Sequence, residues 1–284
     1  MEKLDAHMHV WQLQRGDYDW LTPDLGIIYR DFEIEDVWNE AADAGVSRTI
    51  LVQAAASAAE TDFLLGLAAT DKRVAGVVGW VDFEAPDAAA QIARRAEDKC
   101  IVGLRPMIAD IADPNWILGD ACTSALEAML VNGLVFDAHA RMDLVNVMTS
   151  LATRYPDLQI VLNHGGKPPI ASRELDEWRR DISTLARQKN MACKLSGLLT
   201  EAGPYSDDVA IGEVVEHLAD CFGPNRLLWG SDWPVLNMAG SYSEWVRQSE
   251  RLIGTYLPDP ERAIWAGNAE RIYLDRTGGR GGQA

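Results

Sequence analysis

The amino-acid sequence predicts a (β/α)8 barrel that forms a single domain over residues 1–276. Three observations support this fold class. Eight short apolar runs alternate with helix-like stretches along the whole chain. Several of these runs are continuously apolar, as expected of parallel strands that helices cover. The 284 residues can hold eight strand–helix units, whereas a doubly wound sheet usually has fewer strands.

The eight predicted strands are short apolar runs bounded by turn-forming residues. They cover residues 4–10, 49–54, 74–81, 101–107, 134–139, 159–164, 191–196 and 227–231. The predicted helices cover residues 34–44, 58–70, 88–98, 121–132, 144–155, 175–189, 209–222, 242–256 and 260–273. Gly45, Gly133 and Gly223 follow the ends of three of these helices, where glycine is favoured.

Two segments lie outside this alternation. Residues 11–31 form a long loop that contains Tyr18, Trp20 and Tyr29. Loops of this length are uncommon unless they have a function, so we expect this one to cover the mouth of the barrel. The glycine-rich residues 277–284 are predicted to form a flexible C-terminal tail.

The composition is typical of a globular protein with an acidic surface. The formal net charge is -17, from 26 basic and 43 acidic residues, which argues against non-specific binding to nucleic acid or to an anionic membrane. The sequence has neither a long apolar span nor a signal-like N-terminus, and its four scattered cysteines form no disulfide or zinc-ribbon pattern. We therefore expect a cytoplasmic protein with a small-molecule substrate, and the sequence leaves open whether it forms a homo-oligomer.

Polar residues mark the C-terminal ends of the predicted strands, where active sites of such barrels form. In chain order these residues are His7 and His9, Gln53, Trp80 and Asp82, Arg105, Asp137 and His139, Asn163 and His164, Lys194 and Ser196, and Ser231 and Asp232. Four of the five histidines in the chain belong to this set, and only His217 lies in a predicted helix. We expect these side chains to converge at one end of the barrel.

The first strand carries the pattern His7-x-His9. Side chains alternate along a strand, so both imidazoles should point the same way while Ala6 points the other way. Together with His139 and Asp232, they offer the mixed nitrogen and oxygen ligands that one divalent metal prefers, zinc first and manganese as the alternative. Taken alone, the histidine pair is equally compatible with two solvated side chains.

Four motifs carry a resemblance to a known family. They are Asp5-Ala6-His7-Met8-His9-Val10-Trp11, Asn163-His164-Gly165-Gly166-Lys167-Pro168, Lys194-Leu195-Ser196-Gly197, and Gly223-Pro224-Asn225-Arg226-Leu227-Leu228-Trp229-Gly230-Ser231-Asp232-Trp233-Pro234. With them the sequence resembles the amidohydrolase superfamily, and within it the sugar-lactone lactonases typified by L-fuconolactonase and L-rhamnonolactonase. The resemblance implies a distorted barrel that hydrolyses a cyclic ester, here an aldono-1,4- or aldono-1,5-lactone.

The resemblance has two departures and leaves the metal open. Asn163 stands where this branch usually has aspartate, and Gly165 stands where a larger apolar residue is usual. His139 matches the metal-ligand position of the wider superfamily on the fifth strand. Members of the branch differ in whether they need a metal at all.

Lactone hydrolysis requires a nucleophilic water, a polarised carbonyl and a proton for the departing ring oxygen. Asp232 is the candidate base that accepts the water proton, with a helix N-cap as its alternative role. His164 is the candidate for carbonyl polarisation or proton transfer, with metal ligation as the alternative. His139 could instead be a hydrogen-bonded core histidine.

Five further residues are candidates for substrate binding. The Arg105 guanidinium suits an oxyanion or a carboxylate, and a structural salt bridge is its alternative role. Trp80 and Trp233 could stack on a sugar ring, and Gln53 could hydrogen-bond its hydroxyls, although both tryptophans could equally be core residues. Lys167 could face the site or pair with a neighbouring acid.

Two other functions remain compatible with the sequence. A metal-dependent decarboxylase of an unsaturated or aromatic carboxylic acid would use the same barrel and a similar ligand set. A non-catalytic protein that binds sugar acids is disfavoured because every predicted strand ends in polar side chains.

Overall fold

The computed structural model describes residues 2–258 and 262–275, so the predicted tail at 277–284 lies outside the described residues. Eight parallel strands follow one another around the sheet in chain order, as predicted. They are β1 (Lys3–Met8), β2 (Val46–Val52), β3 (Val74–Gly79), β4 (Ile101–Leu104), β5 (Val135–Ala138), β6 (Ile160–Leu162), β7 (Met191–Leu195) and β8 (Leu227–Trp229). Each strand ends before its predicted end, so most of the polar residues lie in the loops just beyond, whereas His7, Asp137 and Lys194 lie within β1, β5 and β7.

Helices follow the strands at the predicted places. They are α1 (Glu35–Asp43), α2 (Ala58–Thr70), α3 (Ala88–Ala96), α4 (Asp120–Val131), α5 (Val145–Arg154), α6 (Leu175–Leu185), α7 (Leu198–Ala202), α8 (Asp208–Phe222) and α9 (Tyr242–Tyr256). The short α7 was not predicted. The predicted helix at 260–273 contains two π-helical segments, Ala263–Gly267 and Glu270–Leu274, and its first residues lie outside the described part. Within the described ranges, no helix is both long and apolar enough to cross a membrane.

The barrel is nearly closed where β1 meets the chain after β8. The amide of Asp232 donates to the carbonyl of His7 at 2.8 Å, and the amide of His9 donates to the carbonyl of Trp233 at 2.7 Å. Gly230 allows this approach, because a Cβ atom there would lie 2.8 Å from the Cβ of His7. The seam therefore brings together residues from the two ends of the chain.

An inner apolar cluster fills the barrel and includes side chains from all eight strands. Its members are Leu4, Ala6, Ile50, Val52, Val78, Val102, Val135, Val161, Ala192 and Leu228, together with Ala266, Ala269 and Tyr273 of the C-terminal segment. A second, larger cluster lies between the strands and the surrounding helices. The barrel is thus a packed core and not a pore, and only its upper end is free for polar side chains.

A bulge in β1 changes the facing of its side chains. Asp5 pairs with Thr49 and Met8 pairs with Leu51, so three steps along β1 match two along β2. Ala6 belongs to the inner cluster, yet His7 also faces the interior, where it meets Lys194 of β7. The expectation that Ala6 and His7 occupy opposite faces was wrong, because regular alternation does not hold across the bulge.

Candidate active site

Three buried side chains converge at the seam between β1 and β8. The Nε2 atoms of His7 and His9 are 3.2 Å apart. The Oδ1 atom of Asp232 lies 3.6 Å from Nε2 of His7 and 3.3 Å from Nε2 of His9. Ligands of a tetrahedral zinc ion with bonds near 2 Å stand about 3.3 Å from one another, so these three atoms fit one metal ion of that size.

The protonation of the three side chains also suits a metal. Burial lowers the pKa of His7 well below its usual value, and burial likewise lowers the pKa of His9. The Nδ1 atom of His9 lies 2.7 Å from the carbonyl oxygen of Val52, to which it donates when it carries the proton, and this leaves Nε2 free to coordinate. Burial alone would raise the pKa of Asp232, but His164, His9 and Arg105 outweigh it and bring that pKa to about 2. Two neutral imidazoles and one carboxylate therefore face the same point.

A buried polar layer supports His7 from below. The ammonium nitrogen of Lys194 lies 3.1 Å from Nδ1 of His7 and 2.8 Å from Oδ2 of Asp137. The hydroxyl of Tyr273 and the side-chain amide of Asn163 also donate to Asp137. This network lies between the apolar core and the three candidate metal ligands, His7, His9 and Asp232, and it orients the His7 ring.

His164 stands at the edge of the three-residue set. Its Nε2 atom is 3.8 Å from Oδ1 of Asp232, and its Nδ1 atom is 2.9 Å from the hydroxyl of Ser196. Burial lowers the pKa of His164 to about 4, so the ring is neutral at neutral pH. Gly197 makes room for the ring, because a Cβ atom there would lie 2.7 Å from Nδ1. His164 is therefore placed either to exchange a proton with Asp232 or to add a fourth ligand.

A cavity of about 260 Å³ lies over these residues. Six of its lining residues were predicted from the sequence: His9, Arg105, His139, His164, Lys167 and Asp232. Five were not predicted as site residues: Trp20, Ala54, Met107, Asp110 and Val235. The aromatic loop that contains Trp20 was the one available signal, since the other four lie beyond strand ends in positions that no motif marks.

Arg105 is a buried cation without an ion-pair partner among the described residues. Only 4% of its surface is exposed. One Nη2–H donates to the backbone carbonyl of Gln53, and the side-chain amide of Gln53 donates to the backbone carbonyl of Arg105 at 2.8 Å. The Nε–H has no partner within the described structure. A buried guanidinium with an unused donor is costly unless a ligand completes it, which favours an anionic or partly anionic oxygen in the cavity.

The other predicted residues occupy varied positions. The side-chain amide of Gln53 donates to the backbone carbonyl of Arg105, whereas Trp233 packs edge-on against Phe32 with ring centroids 5.2 Å apart. Neither of them nor Trp80 is among the described residues that line the cavity. Lys167 lines the cavity while its ammonium nitrogen lies 3.3 Å from Glu201.

His139 lines the same cavity but stands apart from the metal-type ligands. Its Nδ1 atom is buried and has no hydrogen-bond partner in the described residues. The three-ligand group of His7, His9 and Asp232 does not include it. His139 is therefore available to a bound substrate.

The chain is similar to known proteins over nearly its whole length. The amidohydrolase family model matches residues 4–274. The chain is 42% identical over 282 residues to an L-fucono-1,5-lactonase of Burkholderia ambifaria, covering 98% of this chain and 97% of the relative. It is 35% identical to an L-fucono-1,5-lactonase of Burkholderia multivorans, with 95% of both chains covered. A crystal structure of a Burkholderia multivorans amidohydrolase with bound zinc superposes with a TM-score of 0.90 at 33% identity, covering 96% of this chain and 99% of that one. The chain therefore belongs to the amidohydrolase family.

Proposed function

We propose that this protein hydrolyses a sugar lactone and opens an aldono-1,5-lactone, such as L-fucono-1,5-lactone, to the sugar acid. The observation that carries the proposal is the buried group of His7, His9 and Asp232 beneath a cavity lined by Arg105, a cation with no ion-pair partner in the described part of the chain. The two Burkholderia lactonases support the substrate class, because their similarity extends over nearly the full chain.

We further propose that His7, His9 and Asp232 hold a zinc ion. The spacing of their ligand atoms and the low pKa of both histidines support this assignment. The zinc-bound structure of a family member supports the choice of metal. When bound, such an ion lowers the pKa of water toward neutrality and polarises a carbonyl oxygen.

The chain's own residues supply the proton transfers. Asp232 is ionised at neutral pH and accepts the proton of the attacking water. The water oxygen adds to the lactone carbonyl carbon and gives a tetrahedral intermediate. When this intermediate collapses, the bond from that carbon to the ring oxygen breaks and the carbonyl forms again. The ring oxygen then takes the proton from Asp232, directly or through the neighbouring His164.

Arg105 stabilises the charge that develops during this reaction. The carbonyl oxygen gains negative charge as water attacks, and a fixed, buried donor is worth more to that oxygen than to the neutral substrate. The same guanidinium then faces the carboxylate of the product. The Gln53 backbone and side chain hold Arg105 in place.

The test is acid release from a panel of 1,5- and 1,4-sugar lactones, followed with a pH indicator. We expect the wild type to hydrolyse at least one 1,5-lactone, and Asp232→Asn to be at least ~100-fold slower because its base is lost. Asp220→Asn, which alters an exposed carboxylate on α8, is the matched control and should keep full activity. Carbon dioxide release from an aromatic acid with no lactone consumed would select the decarboxylase instead.

A further inference from the structure

The cavity has two chemically different walls. Above His9, His164 and Asp232, the loop after β1 and the chain just beyond β2 and β8 contribute the apolar residues Trp20, Ala54 and Val235. The chain beyond β4, β5 and β6 contributes Arg105, Asp110, His139 and Lys167, with Met107 as an apolar member. A polyhydroxylated ring has a C–H face and a rim of hydroxyls, and the two walls match these two parts.

Trp20 is held rigidly although it is exposed. Its indole N–H donates to the carbonyl of Ala54 at 2.7 Å. The buried ring of Trp11 packs edge-on against it, with centroids 5.4 Å apart and an interplanar angle of 87°. Even so, 41% of the Trp20 surface remains exposed. The indole is thus pre-positioned to receive a flat apolar surface.

A single buried carboxylate holds two residues that position Trp20. Glu60, which is fully buried in the first turn of α2, accepts the amide N–H of Ala54 at 3.0 Å through Oε1. Its Oε2 accepts the hydroxyl of Tyr18 at 2.8 Å. Glu60 therefore holds Ala54, the residue whose carbonyl accepts the Trp20 indole N–H, and it also holds Tyr18, two positions before Trp20.

Charged residues of the same loop complete this anchor. Arg15 lies 3.3 Å from Oε2 of Glu60 and 2.8 Å from Oδ2 of Asp17. The hydroxyl of Ser57 donates to the same oxygen of Asp17 at 2.6 Å. The loop is therefore bound to the start of α2 by a continuous polar network.

The local sequence would normally use Glu60 differently. Ser57 and Glu60 have the spacing of a capping box, in which the glutamate returns to the amide of the N-cap residue. Here Ser57 does accept the Glu60 amide, at 2.9 Å, but the Ser57 amide donates to the carbonyl of Ala55. The Glu60 carboxylate is directed to the loop instead, which a purely helix-capping role does not require.

We infer that Trp20 is the platform on which the C–H face of the lactone ring stacks, and that Glu60 is the positioning residue that holds this platform. The inference rests on the proposed lactonase function and deepens it. The substrate it implies is a pyranose-like 1,5-lactone whose hydroxyls face Asp110, His139 and Lys167. Trp20 and Glu60 contribute to ring binding and not to the chemical step.

The first test compares steady-state kinetics of Trp20→Ala and Trp20→Phe on the 1,5-lactone that the wild type hydrolyses. Loss of one aromatic contact should raise KM about 2- to 13-fold, while kcat changes less than about twofold. Trp20→Phe keeps a ring and should stay close to the wild-type KM. Trp38→Ala, on α1, is the control and should leave KM unchanged. If Trp20→Ala lowered kcat by as large a factor as it raised KM, or left KM unchanged, Trp20 would not be a platform for ring binding.

The second test asks whether Glu60 acts through Trp20. Glu60→Gln should raise KM in the wild-type background and have no further effect in the Trp20→Ala background, because the platform is already absent. Multiplicative effects in the double variant would overturn the positioning role. If Glu60→Gln does not fold, Tyr18→Phe removes one hydrogen bond of the same anchor and should show the same non-additivity.

A binding measurement separates this inference from the proposed function. L-Fuconate, the product of the proposed reaction, should quench tryptophan fluorescence in the wild type, and most of that quench should be absent in Trp20→Phe. Quenching that depends on Trp20 in a protein that hydrolyses no lactone would support the platform and refute the lactonase function. Lactone hydrolysis with a quench that Trp20→Phe leaves intact would refute the platform alone.

Discussion

Single hydrogen bonds decide whether His7 and His9 can bind a metal. Nδ1 of His9 is committed to the Val52 carbonyl, and Nδ1 of His7 faces Lys194, so both rings present Nε2 to Asp232. Such contacts at the far ring nitrogen fix the orientation of metal-binding imidazoles. Val52 and Lys194 therefore determine which ring nitrogen of each histidine is left for a metal.

The first prediction concerns metal content. His7→Ala and His9→Ala should each lose most of the bound zinc, because two ligands cannot replace three in one site. Elemental analysis of the purified variants measures this directly. His217→Ala removes a histidine of α8 outside the site and should retain the wild-type metal content. Stoichiometric zinc in both β1 variants would place the metal elsewhere.

The second prediction concerns the buried pair of Lys194 and Asp137, both of which are fully buried. Lys194→Met leaves the Asp137 carboxylate without its cation and should lower the free energy of unfolding by about 3–5 kcal/mol. Urea denaturation of the variant and the wild type gives this difference. Arg94→Met removes an exposed cation 3.6 Å from Asp87 and should cost less than about 1 kcal/mol. Equal stability losses in the two variants would show that the buried pair carries no special weight.

The polar residues at the strand ends predicted several cavity residues, but they could not show which tryptophans line the cavity. His9, Arg105 and Asp232 line the cavity as expected. Trp233, in contrast, packs against Phe32 in the core. An indole is equally suited to the core and to a cavity wall, so a tryptophan in the sequence does not show which of the two it occupies. The cavity tryptophan, Trp20, comes from a loop, where no periodicity reports side-chain direction.

At the scale of elements, the seam between β1 and β8 determines the site. The bulge in β1 turns His7 inward, and the hydrogen bonds to the chain after β8 bring Asp232 beside it. Bulges commonly re-aim side chains next to active sites. The strands therefore supply both the ligands and the irregularity that makes the ligands meet.

The third prediction tests this seam with two glycine substitutions. Gly230→Ala would place a Cβ atom 2.8 Å from the Cβ of His7, and it should cost about 1–3 kcal/mol as the seam opens. Gly66→Ala, on the exposed side of α2 with no atom within 4 Å, should instead stabilise by about 0.4–1 kcal/mol. Thermal unfolding shows whether each variant is more or less stable than the wild type. A Gly230→Ala variant as stable as the wild type would refute the tight seam.

The order and type of the main elements were predictable from the sequence, but their irregularities were not. Apolar runs and amphipathic stretches arise from burial, so they reported all eight strands and most helices. The bulge at Asp5–Met8 and the π-helical turns at Ala263–Gly267 and Glu270–Leu274 arise from packing between distant segments. A local pattern has no access to those contacts.

At the scale of the whole molecule, the site stands on successive rigid layers. The inner apolar cluster lies at the bottom, the network around Asp137 and Lys194 lies above it, and the metal-type ligands face the cavity. Catalytic groups held by packed elements need little reorganisation during the reaction. The loop at residues 11–31 adds Trp20 to the cavity wall, which agrees with the expectation that it covers the barrel mouth.

The overall charge distribution suits the proposed reaction. The chain carries a formal net charge of -17, whereas the cavity lining balances the cations Arg105 and Lys167 against the carboxylates Asp110 and Asp232. A neutral lactone is not repelled by the acidic surface, whereas the sugar acid is an anion that the surrounding field disfavours once it leaves the cavity. In the proposed reaction Arg105 is the cation placed to stabilise the developing charge, and the net negative charge of the chain discourages rebinding of the product.

In the proposed reaction, the His7–His9–Asp232 centre opens a sugar lactone. The most direct measurement is the rate of acid release from L-fucono-1,5-lactone by the purified protein, by the same protein after chelation, and after zinc is added back. We predict fast hydrolysis, its loss in the metal-free protein, and its recovery at about one zinc per chain. Undiminished hydrolysis by a protein that elemental analysis shows to be metal-free would contradict the account.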